Sequence, residues 1–436
     1  MGTSSIEFRD WHLWADQEFS TEHTSGSYFD QMLAIEPTYT PTAMMKIAME
    51  RLAIMRDFQQ RCIDVFRAAL SGDVSERIRD WLLNDLPTCL REEYHLTLED
   101  RHYTLPMFFR TDEGGGGKIL EVQAPGSLWG DVELLGRLWK DRSLDDSIAP
   151  TPSQHFVAAL HRVCPEVKNV QHMLDNSSGQ RGMRYFIDCT RPALKYYGYD
   201  PGVTIENCQL IRSHSFYGLV AENLFLTKLA RVGDGVYFDF PPHALFDQKA
   251  CLVLPFWSET GSYFDDSIRD LLSFSSPVLP SGVELPDGTQ MSLQGFSRLP
   301  RRLRHYYLKY AGVDTNRNWG SRSVFRLSNM SRAQCLAVLE DAAAGQGQKN
   351  TWLIQADCSI VGATRYIDRA GDVGNTGEVH VKHSSFFGPE TYLGAIAQYR
   401  RHYKVHGQPE TIVAPLIGQK VDGYVRQSGA ARSVEG

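Results

Sequence analysis

The run Arg110-Thr-Asp112-Glu113-Gly-Gly-Gly-Gly-Lys118-Ile-Leu-Glu121-Val-Gln123 decides how this chain is read. Apolar runs at Leu105–Arg110 and Ile119–Val122 bracket a glycine-rich centre, which is the pattern of a β-hairpin. With the four glycines 114–117 as the connection, Arg110 would face Glu121 and Asp112 would face Ile119. Side chains alternate across a strand, so Arg110, Asp112, Glu121 and Gln123 would share one face. Two carboxylates and an amide oxygen suit a hard cation, because magnesium takes oxygen ligands and shares them with substrate phosphates. The guanidinium suits phosphate oxygens. A salt-bridged surface sheet is the plain alternative, and a connection of odd length would part Asp112 from Glu121. The glycines are not a P-loop, which needs a Ser or Thr after its lysine and a helix beyond. Lys118 runs instead into a β-like stretch, and a flexible hairpin tip is expected.

Two lysines form the second element. Lys249 in Gln248-Lys-Ala-Cys-Leu-Val-Leu-Pro-Phe256 and Lys309 in Tyr306-Tyr-Leu-Lys309-Tyr310 both lie in apolar, strand-like contexts. An ammonium group is rarely buried without a counter-charge. Phosphate oxygens would supply one; a lysine reaching out from a strand edge is the alternative.

Around these elements, Met45, Ala48, Leu52, Met55 and Phe58 recur at helical spacing, a core stripe in a mainly helical region from about 41 to 93. Val167–Leu174, Arg181–Tyr197 and Val203–Ile211 alternate strand, helix, strand, as helices layered on a sheet do. Further on, a strand ends at Lys309, a polar loop covers 312–322, and a strand follows at Ser323–Leu327. Ser331 with Gln334 forms a capping box opening a helix that closes by Gly345, and Thr351–Gln355 is the next strand.

The bulk numbers set outer limits. With 436 residues, 42% hydrophobic and 22% charged, the chain can bury two or three cores. A net charge of -7 argues against a duplex nucleic-acid partner. The run Arg301, Arg302, Arg304 reads as a solvated strand edge. Eight scattered cysteines without a C-x-x-C pair give no zinc pattern and point to a reduced, cytoplasmic protein. No leader pattern, acylation motif or membrane-length apolar run is evident. Ser213-His-Ser215 lacks the context of a hydrolase nucleophile.

In this order the motifs resemble the circularly permuted ATP-grasp ligases typified by the synthetase part of glutathionylspermidine synthase. Arg110-Thr-Asp112 and Glu121-Val-Gln123 are similar to that family's R-x-D and E-x-N magnesium strands, with Gln123 where Asn is usual. Gln248-Lys249-Ala resembles its first ATP lysine segment. Lys309 through Gly320-Ser-Arg-Ser-Val324 resembles a lengthened second-lysine and phosphate-covering loop, and Trp352–Gln355 its adenine-contacting hinge. The wider gap between the lysines implies an insertion around Phe264–Arg298.

The resemblance implies an ATP-grasp α+β / α/β fold in permuted order. The expected organisation is a helical region over 1–100, the metal-binding hairpin over 101–150 and a Rossmann-like α/β subdomain over 151–245. A nucleotide clamp over 246–425 and a disordered tail over 426–436 would complete it. ATP and Mg2+ are the implied cofactors. Asp112, Glu121 and Gln123 would hold the metal, Lys249, Lys309, Gly320, Ser321 and Gln355 would hold ATP, and Arg110 would stabilise the reacting oxyanion. The implied reaction joins a small-molecule carboxylate to an amine through an acyl phosphate, releasing ADP and phosphate. A phosphotransferase and a non-catalytic nucleotide-binding protein remain as alternatives. The basic residues Arg365, His380, Lys382, Lys404 and His406 would contact an acidic substrate or face solvent, the latter favoured. The N-terminal helices would line that pocket or form a homodimer, and neither nucleic acid nor membrane is an expected partner.

Overall fold

The computed structural model describes residues 10, 11, 13, 17, 32–35, 38–41, 43–83, 105–123, 128–142, 152–163, 170–173, 181–196, 210–213, 237–238, 244–246, 248–312, 317, 323–345, 351–405 and 410–419. In chain order, β1 (Met32–Ala34) and β2 (Thr38–Pro41) precede α1 (Ala43–Ser71) and α2 (Glu76–Leu83). Next come β3 (Phe109–Glu113), β4 (Ile119–Gln123), α3 (Trp129–Arg142) and α4 (Pro152–Val163). β5 (Val170–Met173), α5 (Arg181–Tyr196), β6 (Leu210–Ser213) and β7 (Tyr237–Phe238) follow, and β5–β6–β7 form a parallel sheet.

The second half continues with α6 (Asp266–Leu271), β8 (Ser275–Pro277), β9 (Val283–Glu284), β10 (Gln290–Met291) and α7 (Leu293–Arg298). β11 (Tyr306–Tyr310), β12 (Val324–Arg326), α8 (Arg332–Ala344) and β13 (Trp352–Ala356) build a clamp-like unit. β14 (Ile360–Gly362), β15 (Arg365–Ile367), β16 (Val373–Asn375), β17 (Val379–Phe387), β18 (Tyr392–Arg400) and β19 (Ile412–Gln419) end the described chain. Five cysteines among the described residues are free, and no described helix is long and apolar enough to cross a membrane.

Two sheets position everything that follows. The large one runs β16-β15-β1-β19-β18-β17-β3-β4, with β14 on β17 and β2 on β19. β1 and β2 join β19 in parallel, so the region expected to be mainly helical also supplies strands to the last-formed sheet. Those strands are short and lack alternation, which is why no periodicity reveals them. The smaller sheet, β12-β11-β13-β8, is antiparallel throughout. Its edge strand β8 comes from the segment expected to be an insertion.

Period-two alternation divides the large sheet's faces. Phe109, Val122 and Phe387 pack against α1, whose buried Leu52, Met55, Phe58, Cys62 and Phe66 recur every three or four residues. On the opposite face Phe386 and Ile396 are covered by α3, α4 and α5. Arg110, Asp112, Lys382 and Ser384 alternate onto this second face too. In the small sheet, Leu308, Tyr310 and Ile354 turn toward Cys335 and Leu339 of α8. Tyr307, Lys309, Leu353 and Gln355 therefore turn the other way. The capping box of Ser331 and Gln334 forms as expected and fixes the start of α8.

Candidate active site

The hairpin closes through Gly114–Lys118, five residues rather than four, with Gly114 N–H donating to the Lys118 carbonyl at 2.8 Å. That odd length alone would part the two acids. A bulge at Leu120 restores parity, because Asp112 pairs with Glu121 whereas Glu113 pairs with Ile119. The register thus differs from the expected one by two residues: Arg110 faces Gln123 and Asp112 faces Glu121. A shift of two preserves the face, so all four side chains still share it.

The tip is not free. A Gly115–Gly117 turn docks on the loop after β13, where Gly115 N–H donates to the Cys358 carbonyl at 2.6 Å. A Cβ on Gly114 would lie 2.3 Å from that same carbonyl. The glycines let the hairpin approach the second sheet at backbone distance. Ser273 N–H also donates to the Ile119 carbonyl at 2.9 Å.

Where the two sheets meet, opposite charges interlock. Asp112 accepts from Lys382 Nζ at 2.8 Å on Oδ2 and from Ser384 Oγ at 2.8 Å on Oδ1, with Arg110 Nε 3.1 Å from the same Oδ1. Burial alone would raise its pKa, but the charges of Arg110 and Lys382 outweigh it and hold the carboxyl well below the usual range. Arg110 also donates to Gln123 Oε1. Lys249 Nζ lies 3.0 Å from Glu121 Oε1.

Lys249 is buried, but not in the strand-like setting expected of it. It precedes a short 3-10 turn over Ala250–Val253 and is fixed by its own N–H to the Ala311 carbonyl at 3.0 Å. Apolar runs of this length fit a buried turn as readily as a strand.

Lys309 crosses from the other wall. Its Nζ donates to Gln355 Oε1 at 2.5 Å, while Gln355 Nε2 donates to the Leu120 carbonyl and to Ser275 Oγ, each at 3.1 Å. Gln355 is therefore a bridge between the sheets whose amide holds the second lysine. Burial is the largest influence on Lys309 and lowers its pKa to about 8. Glu121 and Asp112 pull it back up, and Lys249 and Lys382 push it further down.

Arg110, Asp112, Glu121, Gln123, Lys249, Lys309 and Gln355 are thus brought into one cluster. Gly320 and Ser321 lie outside the described residues, as do His214, Ser215, His406 and the 426–436 tail. Lys382, expected to face solvent, points into the cluster instead. Arg365 is exposed, and the Lys404 ammonium lies 5.6 Å from the centre of the Phe325 ring. Ser384 was not singled out from the sequence. Its signal was available only as the alternation His380, Lys382, Ser384 along a strand.

The donor chemistry fits magnesium. Two carboxylates and one amide oxygen from neighbouring strands match the few protein ligands this ion takes alongside phosphates.

No family model and no curated protein matches the chain. Among solved structures, an apo glutathione synthetase-like effector (GSS30) from Globodera pallida aligns over 94% of both chains, with a TM-score of 0.50 at 12% identity. A protein from Methylobacillus flagellatus provisionally described as a gamma-glutamylcysteine synthetase aligns over 79% of this chain and 85% of its own, at 10% identity and a TM-score of 0.39. The first likeness concerns the fold alone, and the mixed α+β architecture is consistent with an ATP-grasp-like fold.

Proposed function

We propose that the chain is an ATP- and magnesium-dependent carboxylate–amine ligase working through an acyl phosphate. The observation that carries this reading is the convergence of Asp112 and Glu121 from one sheet with Lys249 and Lys309 on the facing wall. The motif order, metal strands before lysines before hinge, supports the permuted arrangement. The synthetase-like name of the GSS30 effector agrees with the reaction class.

Lys249 would exchange the Glu121 carboxylate, and Lys309 the neutral Gln355 amide oxygen, for charged phosphate oxygens. Asp112, Glu121 and Gln123 would hold Mg2+, which when bound neutralises phosphate charge and orients the transferred group. Lys382 keeps Asp112 ionised and would stabilise charge developing on the substrate carboxylate. Arg110 would stabilise the oxyanion formed as the amine attacks. Gln355 orients Lys309, and Ser384 orients Asp112. The burden on the protein is mostly positioning and electrostatics.

The test is to incubate the protein with ATP, Mg2+ and pooled organic acids, amino acids and polyamines, then search by mass spectrometry for a condensation product. The expected result is an amide with stoichiometric ADP and phosphate. AMP and pyrophosphate would make it an adenylating enzyme. A phosphorylated product formed without an amine would make it a phosphotransferase.

A further inference from the structure

The segment between Asp287 and Glu340 holds nine Lys and Arg residues but a single carboxylate, Asp314, in a chain of net charge -7. Lys309 of that segment serves the cluster and Arg326 pairs with Asp357 at 2.7 Å. Arg304 does neither. It was expected at a solvated edge with Arg301 and Arg302, yet it is only 1% exposed.

Arg304 Nη2 donates to the Met330 carbonyl at 2.9 Å, directly before the Ser331 cap of α8. The guanidinium also lies beside the Cys335 thiol in the first turn of that helix. Its Nε and Nη1 are buried and have no hydrogen-bond partner among the described residues. A buried guanidinium without a carboxylate is costly, and here it sits under the positive end of a 13-residue helix. The capping box takes the N–H groups of Ser331 and Gln334, leaving those of Arg332 and Ala333 without a partner inside the helix. The turn carrying exposed Arg301 and Arg302 packs against the Leu327–Asn329 turn that leads into α8, and Arg332 is exposed at its start.

We infer that the start of α8 is a binding site for a tetrahedral phosphate group, anchored by Arg304 and reached through Arg301, Arg302 and Arg332. It lies against the α8 layer, on the side of the small sheet turned away from the cluster, and it does not depend on the ligase reading. Two positively charged elements stacked with no acid between them among the described residues complement such an anion, as helix N-termini do elsewhere.

Calorimetric titration of inorganic phosphate, run in a Lys309→Met background to silence the cluster, tests it. Saturable binding is expected to persist in that background and to weaken about tenfold or more in Arg304→Met. Should Arg304→Met fail to fold, the surface variant Arg301→Gln/Arg302→Gln/Arg332→Gln gives the same reading without touching the core. A parallel titration with glycerol phosphate separates the sources: tighter binding assigns a ligand-borne phosphate, and equal binding assigns the free ion. Loss of all phosphate binding in Lys309→Met alone, or unchanged affinity in both arginine variants, would overturn the site.

Discussion

Asp112 and Lys382 are 270 positions apart in sequence, yet Oδ2 of the first lies 2.8 Å from Nζ of the second. The contact exists because β17 runs beside β3 and places Ser384 opposite Asp112, with Lys382 two residues further along the same face. Lys382→Met is expected to lower kcat/KM by about 10²–10³. MgATP affinity should change far less, because Lys249 and Lys309 remain. Steady-state ADP release with an equilibrium binding measurement separates the two quantities. Equal losses in both would make Lys382 a nucleotide ligand instead.

Lys309 gives the site a pH dependence. Its folded pKa of about 8 lies below the ordinary lysine value, so the free protein gains stability between about pH 8 and 10.5, where only the unfolded chain holds the proton. A bound triphosphate restores the charge and raises the pKa. Nucleotide binding above pH 8 should therefore take up a proton, and affinity should fall as pH rises further. Calorimetry in two buffers of different ionisation heat measures the uptake, and Lys309→Met should abolish it.

Spacing between the sheets rests on the hairpin tip. Gly114→Ala places a methyl 2.3 Å from the Cys358 carbonyl, an overpacking expected to cost about 1–3 kcal/mol and to weaken nucleotide binding by parting the walls. Gly116→Ala also strains the backbone, since Gly116 has φ +67°, but it meets open space. It should cost roughly 1–2 kcal/mol and leave affinity intact. Thermal melts and binding curves on both variants distinguish strain from sheet separation.

Gln355→Leu removes the acceptor for Lys309 and the donor to Leu120 and Ser275 together. About 1–3 kcal/mol is expected for each buried group left unpaired. Lys309 should titrate still lower, moving the pH limit of binding toward acid. Gln355→Glu should instead raise the Lys309 pKa, and a pH–affinity profile of the pair reads the opposite shifts.

Much of this was legible in the sequence where the signal was local. The capping box at Ser331, the strand carrying Lys309 and the shared face of Arg110, Asp112, Glu121 and Gln123 all follow from spacing over a few residues. The register was misjudged by two because a bulge has no sequence mark of its own: the odd loop and the extra residue at Leu120 each shift it by one, and together they restore the shared face. Lys249 looked strand-like because a buried 3-10 turn and a buried strand have similar composition. Lys382 and Ser384 were missed as cluster members because their role is created by a pairing between distant strands. Arg304 was placed at the surface because charge runs usually are, and nothing local tells which of three arginines turns inward.

The central claim is that one triphosphate is held between the two sheets with its metal on Asp112 and Glu121. Titrating a non-hydrolysable ATP analogue into wild type, Asp112→Ala and Lys309→Ala, with and without Mg2+, tests it most directly. The account predicts magnesium-dependent binding in wild type, loss of that dependence in Asp112→Ala and at least about tenfold weaker binding in Lys309→Ala, with all three proteins folded. Wild-type affinity and undiminished magnesium dependence in both variants would contradict it.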